Sequence, residues 1–238
     1  MPGGLHVVAL APDGDRVAEV RLGHGQHPEV VLGAAGWLIE APVSATVRES
    51  GGLELGYRVR ELDGTPPRAE AVRRDAGVGA DERGEPFQRV AAYALVTSER
   101  GVLLTQFNDQ TGVAGDWGLP GGGLDDGESP VEGVHREVWE ETGQRIELAE
   151  LITVQSQHWV GRAPLGVLED FHAVRIVYAA TCPEPADVVI HDVGGTTSDA
   201  RWVPADRLRD YRLSGSWQQL AALRQLGQTR AGDVYDAP

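Results

Sequence analysis

The chain contains no lysine, and this absence excludes several kinds of active site. All 21 of its basic residues are arginines. It can therefore have neither the Gly-Lys-Ser/Thr of a P-loop nor a lysine that forms a Schiff base or anchors pyridoxal phosphate. Cys182 is the only cysteine, which rules out an intrachain disulfide and a cysteine-rich zinc site.

Positive charge and long apolar runs are also scarce. Basic residues number 21 against 36 acidic ones, so the formal net charge is −15 and binding to a nucleic-acid polymer is not expected. An anionic substrate would need a local countercharge from arginine or a metal ion. No stretch approaches the roughly 18 consecutive apolar residues of a membrane span. The first ten residues lack the features of a signal peptide, so no membrane association and a cytoplasmic location are expected.

The first part of the chain has the pattern of a small, mainly β domain. Leu53, Leu55, Tyr57 and Val59 alternate with polar residues or glycine, which is typical of a half-buried strand. Further strands are predicted at 7–10, 17–22, 30–39 and 43–47. Residues 64–86, rich in glycine, proline and charge, are predicted to connect two domains, with a short helix at 69–76 and a boundary near residue 85. The predicted domains are thus 1–85 and 86–228, followed by a flexible tail at 229–238.

The second part combines strands with a well-marked helix. Residues 90–97 and 102–107 are predicted to form a hairpin, and further strands are predicted at 148–155, 171–181 and 200–203. Ser129 is a good N-cap, Glu132 completes a capping box with it, and Gly143 ends the helix. The apolar stripe predicted to face a sheet consists of Val131, Val134 and Val138. A second amphipathic helix is predicted at 217–226, ended by Gly227.

Three carboxylates lie on another side of the first helix. At 100° per residue, Glu140 and Glu141 project within about 60° of Glu137. Two carboxylates about 6 Å apart repel each other by roughly 3 kcal/mol at an effective dielectric constant of 20. A hard divalent cation such as Mg²⁺ would turn that repulsion into ligation. The alternative is a solvated acidic face, but the fixed spacing from a proline-glycine loop and the adjacent Arg136 favour a metal site.

This segment resembles the signature of the Nudix hydrolases. That signature reads Gly, five residues, Glu, seven residues, Arg-Glu, an apolar residue, any residue, Glu-Glu, any residue, Gly and an apolar residue. The matching positions are Gly122, Glu128, Arg136, Glu137, Val138, Glu140, Glu141 and Gly143. Gln144 departs from the pattern at its last position, where the family has a packing residue. The resemblance covers about residues 87–227.

The resemblance implies a fold, a reaction and a set of roles. The fold is an α/β/α sandwich around a mixed sheet, preceded here by the small β domain. The reaction is hydrolysis of a nucleoside diphosphate linked to another group, with Mg²⁺ or Mn²⁺ as cofactor. The residues that would bind the metal are Glu137, Glu140, Glu141 and the carbonyl of Gly121. Glu128 and Arg136 would form a structural ion pair where the loop meets the helix.

Several assignments stay open at this point. The general base in the family is the Glu of the Arg-Glu pair or an acidic residue of a later loop, and the loop candidates here are Glu169, Asp170, Glu184, Asp187 and Asp192. His158 and Trp159 follow a predicted strand, where they could contact substrate, with Trp159 stacking on a base, or pack on the sheet edge. Arg175 could bind a phosphate or form a salt bridge within a strand. The other histidines, from His6 to His191, show no metal-ligand spacing.

The substrate and the assembly also stay open. A nucleotide sugar, ADP-ribose and a nucleoside triphosphate are all possible substrates, and the rival function is a non-catalytic nucleotide sensor. Short, glycine-punctuated strands in the N-terminal domain bury little surface alone. We therefore expect a homodimer in which this domain helps to build the interface or to wall the substrate cleft.

Overall fold

The computed structural model describes residues 3–163 and 166–226. A four-stranded sheet comes first, with strand order β2-β1-β4-β3. Strand β1 pairs with β2 in antiparallel and with β4 in parallel orientation, and β3 pairs with β4 in antiparallel orientation. Its strands are β1 (Leu5–Leu10), β2 (Arg16–Leu22), β3 (Trp37–Val47) and β4 (Leu53–Glu61). The alternation at 53–59 is confirmed, since Leu53, Leu55, Tyr57 and Val59 are all buried.

The strand predicted at 30–39 is wrong in its first half, which forms helix α1 (Pro28–Ala34). The His27 ring nitrogen accepts a hydrogen bond from the Glu29 N–H over 3.3 Å, and Pro28 occupies the first helical position. Val31 and Leu32 are buried. The cap and the proline therefore outweigh the strand preference of the two valines at 30 and 31.

The second sheet has eight strands and includes Gly122, with which the signature begins. Its main path runs β12-β7-β6-β11-β10-β5, with β8 beside β7 and β9 beside β6. The strands are β5 (Arg73–Arg74), β6 (Glu85–Ser98), β7 (Gly101–Phe107), β8 (Trp117–Gly118), β9 (Gly121–Gly123), β10 (Glu147–Arg162), β11 (Leu168–Thr181) and β12 (Thr197–Val203). Both parallel and antiparallel pairs occur, because β10 pairs with β5 in parallel and β7 pairs with β12 in antiparallel orientation. The predicted hairpin at 90–107 is confirmed, with a turn between Ser98 and Gly101.

Helix α2 (Pro130–Thr142) carries the signature carboxylates. The predicted apolar stripe is confirmed for Val134 and Val138, which are fully buried. It is wrong for Val131, which is 44% exposed. Val131 lies in the first turn of the helix, where its side chain is exposed to solvent.

Two other predicted helices differ from the structure. Residues 69–76 form no helix, because Arg73 and Arg74 are extended as β5 and pair with Trp159 and Val160. The helix predicted at 217–226 is divided into α3 (Gly215–Gln218) and α4 (Ala221–Leu226), where the Leu220 N–H turns back to the Trp217 carbonyl over 3.1 Å. A 3-10 helix (Ala205–Asp210) precedes them. The predicted stop at Gly227 and the tail at 229–238 lie outside the described residues.

Contacts between residues divide the chain into two units. The first holds the residues up to Ala92, Gly123–Gly133 and Leu151–Val177, and the second holds Tyr93–Gly122, Val134–Glu150 and the residues from Tyr178 onward. Strands β6, β10 and β11 and helix α2 each have residues in both. In the part of the chain that the structure describes, every helix is too short or too polar to cross a lipid bilayer.

Candidate active site

The start and end of helix α2 are fixed by the residues that the sequence indicates. The Glu132 N–H donates to Ser129 Oγ over 3.2 Å, and the Ser129 N–H donates to Glu132 Oε2 over 3.0 Å. The Ser129 hydroxyl and the Ser129 N–H, which both donate to the Glu132 carboxylate, lower the pKa of that carboxyl. Gly143 ends the helix with a φ of +70°, a conformation that favours glycine. The register of the helix, and with it the direction of each carboxylate, is thereby set.

Gly122 makes room for Glu137. A Cβ at position 122 would lie 2.5 Å from Glu137 Cδ and from its Oε1. Any side chain at Gly122 would therefore displace the carboxylate. This close approach gives the glycine of the signature a direct structural reason, independent of backbone conformation.

Arg136 joins two of the three helix carboxylates. Its Nη1 donates to Glu137 Oε1 over 2.9 Å and to Glu140 Oε2 over 3.1 Å. One guanidinium thus offsets much of the repulsion between neighbouring acids. The ion pair of Arg136 with Glu128 stays a prediction. Glu128 accepts a hydrogen bond from the Asp125 N–H over 2.9 Å, within the loop that leads into the helix.

Glu141 is the buried member of the trio, with 6% of its surface exposed. Its Oε2 accepts a hydrogen bond from the Gly121 N–H over 2.9 Å, and its Oε1 accepts one from the Thr197 hydroxyl. Burial raises the pKa of Glu141 to about 7, the two hydrogen bonds act against that rise, and the negative charges of Glu137 and Asp192 add to it. The carboxylate is thus held by the first residues of strands β9 and β12.

The donor set suits a hard cation. Carboxylate oxygens from Glu137, Glu140 and Glu141, with a backbone carbonyl, are ligands that Mg²⁺ accepts alongside its own water molecules. The three carboxylates do not form a group whose ligand atoms all lie within 4.8 Å of one another. An octahedral Mg²⁺ that keeps several waters does not require such tight convergence. The residues therefore fit the metal that the signature implies.

Of the loop candidates for the general base, Asp192 has a backbone hydrogen bond to this helix. The N–H groups of Asp192 and His191 both donate to the Glu140 carbonyl, over 3.0 and 2.7 Å. Asp192 is also close enough to Glu141 to influence its pKa. Asp187 is almost fully exposed and pairs with Arg100 over 3.1 Å. Glu184 lines a shallow cavity with Trp139 and Arg145.

Trp159 and Arg175 fall in the first unit, whereas Gly121, Glu137 and Glu141 fall in the second. Trp159 lies within strand β10, so the prediction that it follows the strand is wrong. Its ring is 4.6 Å from that of Phe171, and the Arg73 guanidinium lies over it at 5.5 Å. Arg175 Nη1 donates to Gln157 Oε1 over 2.9 Å, and within the described residues it has no carboxylate partner. Their roles toward substrate stay predictions.

Sequence reasoning missed a cluster of His24, His158 and Asp170. These residues form the group of three whose ligand atoms lie within 4.8 Å of one another. Partial burial acts to raise the pKa of Asp170, but hydrogen bonds from both histidines hold it below its ordinary value. The residues are far apart in sequence, so no spacing rule could find them. A second contact between residues that are distant in sequence brings the Arg89 guanidinium next to Gly123, where a Cβ would lie 2.8 Å from Arg89 Nε.

Comparisons with known proteins identify a family for the second part of the chain. The family model described as the NUDIX domain matches residues 87–224. A MutT-like protein from Streptomyces ambofaciens is 45% identical over 69 residues, which are 29% of this chain and 43% of the relative's length. The nucleoside triphosphatase NudI of Salmonella schwarzengrund is 28% identical over 142 residues, which are 58% of this chain and 98% of the relative.

The chain is also similar to solved structures. The MutT protein from Methanosarcina mazei Go1 superposes with a TM-score of 0.46 at 24% identity, covering 62% of this chain and all of that one. An ADP-ribose pyrophosphatase from Streptococcus suis has a TM-score of 0.41 at 20% identity, covering 60% of this chain and 93% of that one.

Proposed function

The chain belongs to the Nudix hydrolase family, and from that premise we propose that it is a Mg²⁺- or Mn²⁺-dependent pyrophosphohydrolase of nucleoside triphosphates or related nucleoside diphosphate derivatives. The observation that carries the proposal is the complete carboxylate set of helix α2. Glu137 is seated against Gly122, Glu140 shares Arg136 with it, and Glu141 is buried on the Gly121 N–H. A protein that only senses nucleotides has no need of three acids in this arrangement.

Glu137, Glu140, Glu141 and the Gly121 carbonyl would hold the metal. When bound, the ion neutralises diphosphate oxygens and lowers the pKa of a bound water. Arg136 orients Glu137 and Glu140, and the Gly121 N–H and the Thr197 hydroxyl orient Glu141. Glu137 and Asp192 are the two acids that we propose as acceptors for the proton of the attacking water.

The nucleoside triphosphate substrate class rests on the relative that matches over most of its own length. That relative is named a nucleoside triphosphatase, and this chain covers 98% of it at 28% identity. Arg175, half-buried on β11 and free of a carboxylate partner among the described residues, is the side chain that we propose for a phosphate contact. Trp159, whose ring packs on Phe171, is the side chain that we propose for a base contact.

The test is a substrate panel with the full chain. Nucleoside triphosphates, ADP-ribose and nucleotide sugars are incubated with and without Mg²⁺, and pyrophosphate, phosphate and nucleoside monophosphate are measured. We expect Mg²⁺-dependent release of pyrophosphate and nucleoside monophosphate from at least one triphosphate. Turnover of ADP-ribose or a nucleotide sugar alone would overturn the substrate class but keep the reaction. Tight nucleotide binding without any turnover would establish the sensor instead.

We also propose that the protein is a homodimer and that the N-terminal sheet contributes to its interface or to the wall of the substrate cleft. Strands β2 and β3 are the edges of that sheet, and unpaired edges are sites for pairing between chains. Light scattering of the full chain should give twice the 25.5 kDa of one chain. A monomer at all concentrations tested would contradict this assembly.

A further inference from the structure

Two histidines from distant parts of the sequence point at one carboxylate oxygen. His24 lies between β2 and α1, His158 lies on β10, and Asp170 lies on β11. His24 Nε2 is 2.9 Å from Asp170 Oδ1, and His158 Nε2 contacts the same oxygen. The two imidazole rings meet edge to face, with centroids 5.1 Å apart. Two nitrogen donors and one oxygen donor are thus gathered at a single point.

The backbone around His24 is shaped to allow this meeting. Gly25 has a φ of +70°, and a Cβ there would lie 2.5 Å from His158 Nδ1. Only glycine permits the imidazole of His158 to come so near to the segment that carries His24. The Gln26 side chain accepts a hydrogen bond from the Gly23 N–H over 2.7 Å, which closes this turn on itself.

A chain of hydrogen bonds fixes the same turn to the sheet. Ser156 Oγ donates to the Gln26 carbonyl over 3.0 Å and accepts from His172 Nε2 over 2.8 Å. His172 Nδ1 in turn accepts from Gln88 Nε2 over 2.8 Å. Both ring nitrogens of the fully buried His172 are therefore occupied. His172 therefore helps to fix the turn that carries His24, and its ring nitrogens are not among the atoms that would bind a metal.

The ligand atoms and their exposure are typical of a transition-metal site that leaves one coordination position open. Two imidazole nitrogens and a carboxylate are the set typical of Zn²⁺ sites that keep one coordination place for water or substrate. The side chains of His24 and Asp170 are 27% exposed and that of His158 is 20% exposed, so the point where they meet is accessible to an ion. Mg²⁺ prefers oxygen ligands and would favour the helix α2 carboxylates instead.

We propose that His24, His158 and Asp170 bind a first-row divalent transition metal of the Zn²⁺ class, at a site separate from the helix α2 carboxylates. The two histidines would bind through Nε2 and Asp170 through its carboxylate. With neutral imidazoles, the bound ion would leave a net charge of +1, which suits water, hydroxide or an anionic oxygen at the open position. The site would also tie the segment that carries His24 to strands β10 and β11.

The experiment measures Zn²⁺ binding by the full chain with Mg²⁺ in large excess, so that the helix α2 carboxylates are occupied. Titration calorimetry at neutral pH should show one Zn²⁺ bound per chain. His24→Ala and His158→Ala should each weaken Zn²⁺ binding by at least about 100-fold, because losing a ligand costs at least as much as losing a group that orients one.

Two matched variants separate this site from the other candidates. His191→Ala removes a histidine that stacks on Trp139, and Glu140→Gln removes a carboxylate of helix α2. Both should keep the Zn²⁺ affinity of the unaltered chain. Circular dichroism checks that each variant folds, and Asp170→Asn, which keeps the shape of the side chain, should also lose affinity. The proposal is overturned by absence of Zn²⁺ binding under excess Mg²⁺, or by equal affinity in the folded His158→Ala and His191→Ala chains.

Discussion

The carboxylate of Glu137 occupies the space that a side chain at Gly122 would need, since a Cβ there would lie 2.5 Å from Glu137 Cδ. Strand β9 and helix α2 are thus in close contact at this point. Glu137 is also held by Arg136 from its other side over 2.9 Å. This contact explains why glycine and glutamate are paired at this spacing, and it can be broken without changing any charge.

Gly122→Ala should therefore lower turnover while the chain still folds. The new methyl group meets the end of a flexible side chain, so Glu137 moves and the backbone stays. A displaced catalytic group costs roughly 10- to 100-fold in rate. Steady-state kinetics should be compared with Gly112→Ala, where a Cβ meets nothing within 4 Å. Equal rates for the two variants would show that the close approach has no catalytic role.

Glu141→Gln should reduce turnover by about 100-fold or more, because it removes charge at the proposed metal while keeping the shape of the side chain. The amide can still accept the hydrogen bond from the Gly121 N–H, so the melting temperature should change little. A rate within threefold of that of the unaltered chain would contradict the assignment of Glu141 as a metal ligand.

Arg136→Ala should lower both stability and rate. It leaves Glu137 and Glu140 without the guanidinium that joins them, and the loss from a partly exposed ion pair is about 1 kcal/mol. Thermal unfolding and kinetics should be measured together, with Arg136→Lys as the variant that keeps the charge. An unchanged melting temperature in Arg136→Ala would count against the structural role.

Alkaline stability should depend on Tyr178, which is buried in β11 and has no hydrogen-bond partner for its hydroxyl within the described residues. Burial raises the pKa of Tyr178 to about 12, whereas in the unfolded chain it ionises near 10. Its contribution is therefore fully present below pH 10 and is lost between pH 10 and pH 12. The free energy of unfolding falls by about 3 kcal/mol at most through this group.

Tyr178→Phe removes the ionisable group and should raise the pH at which the chain unfolds in alkali. The half-buried Tyr93 supplies the control, since Tyr93→Phe deletes a hydroxyl on another strand of the same sheet. Chemical denaturation at several pH values measures the effect. If both variants lose stability in parallel with the unaltered chain above pH 10, Tyr178 is not the source of the alkaline instability.

Local sequence signals were enough for helix α2 and for the hairpin of β6 and β7. Ser129 and Glu132 are three residues apart, so their mutual hydrogen bonds could be predicted from spacing alone. The prediction of a strand at 30–39 is wrong in its first half because the N-cap at His27 and Pro28 outweigh the strand preference of the valines that follow. A two-residue strand such as β5 exists through its pairing with β10, and nothing in residues 69–76 shows that partner.

The candidate site also contains some residues that local spacing predicts and others that it does not. Position on one helix predicted the three signature acids, but it could not show that Glu141 is buried while Glu140 reaches solvent. His24 and Asp170 are 146 residues apart, so their contact depends on the arrangement of strands and not on local spacing. Arg89 over Gly123 and Gly25 against His158 are contacts of the same kind. Long-range pairing of this sort is visible only in the folded chain.

We propose that the helix α2 carboxylates make this protein a metal-dependent hydrolase of a phosphoric anhydride. The most direct test is the rate of nucleoside triphosphate hydrolysis at saturating Mg²⁺ for Glu140→Gln, with Glu150→Gln as the control at an exposed glutamate on β10. We predict a rate at least about 100-fold below that of the unaltered chain for Glu140→Gln, and an unchanged rate for Glu150→Gln. Equal rates in both variants and the unaltered chain would contradict the account.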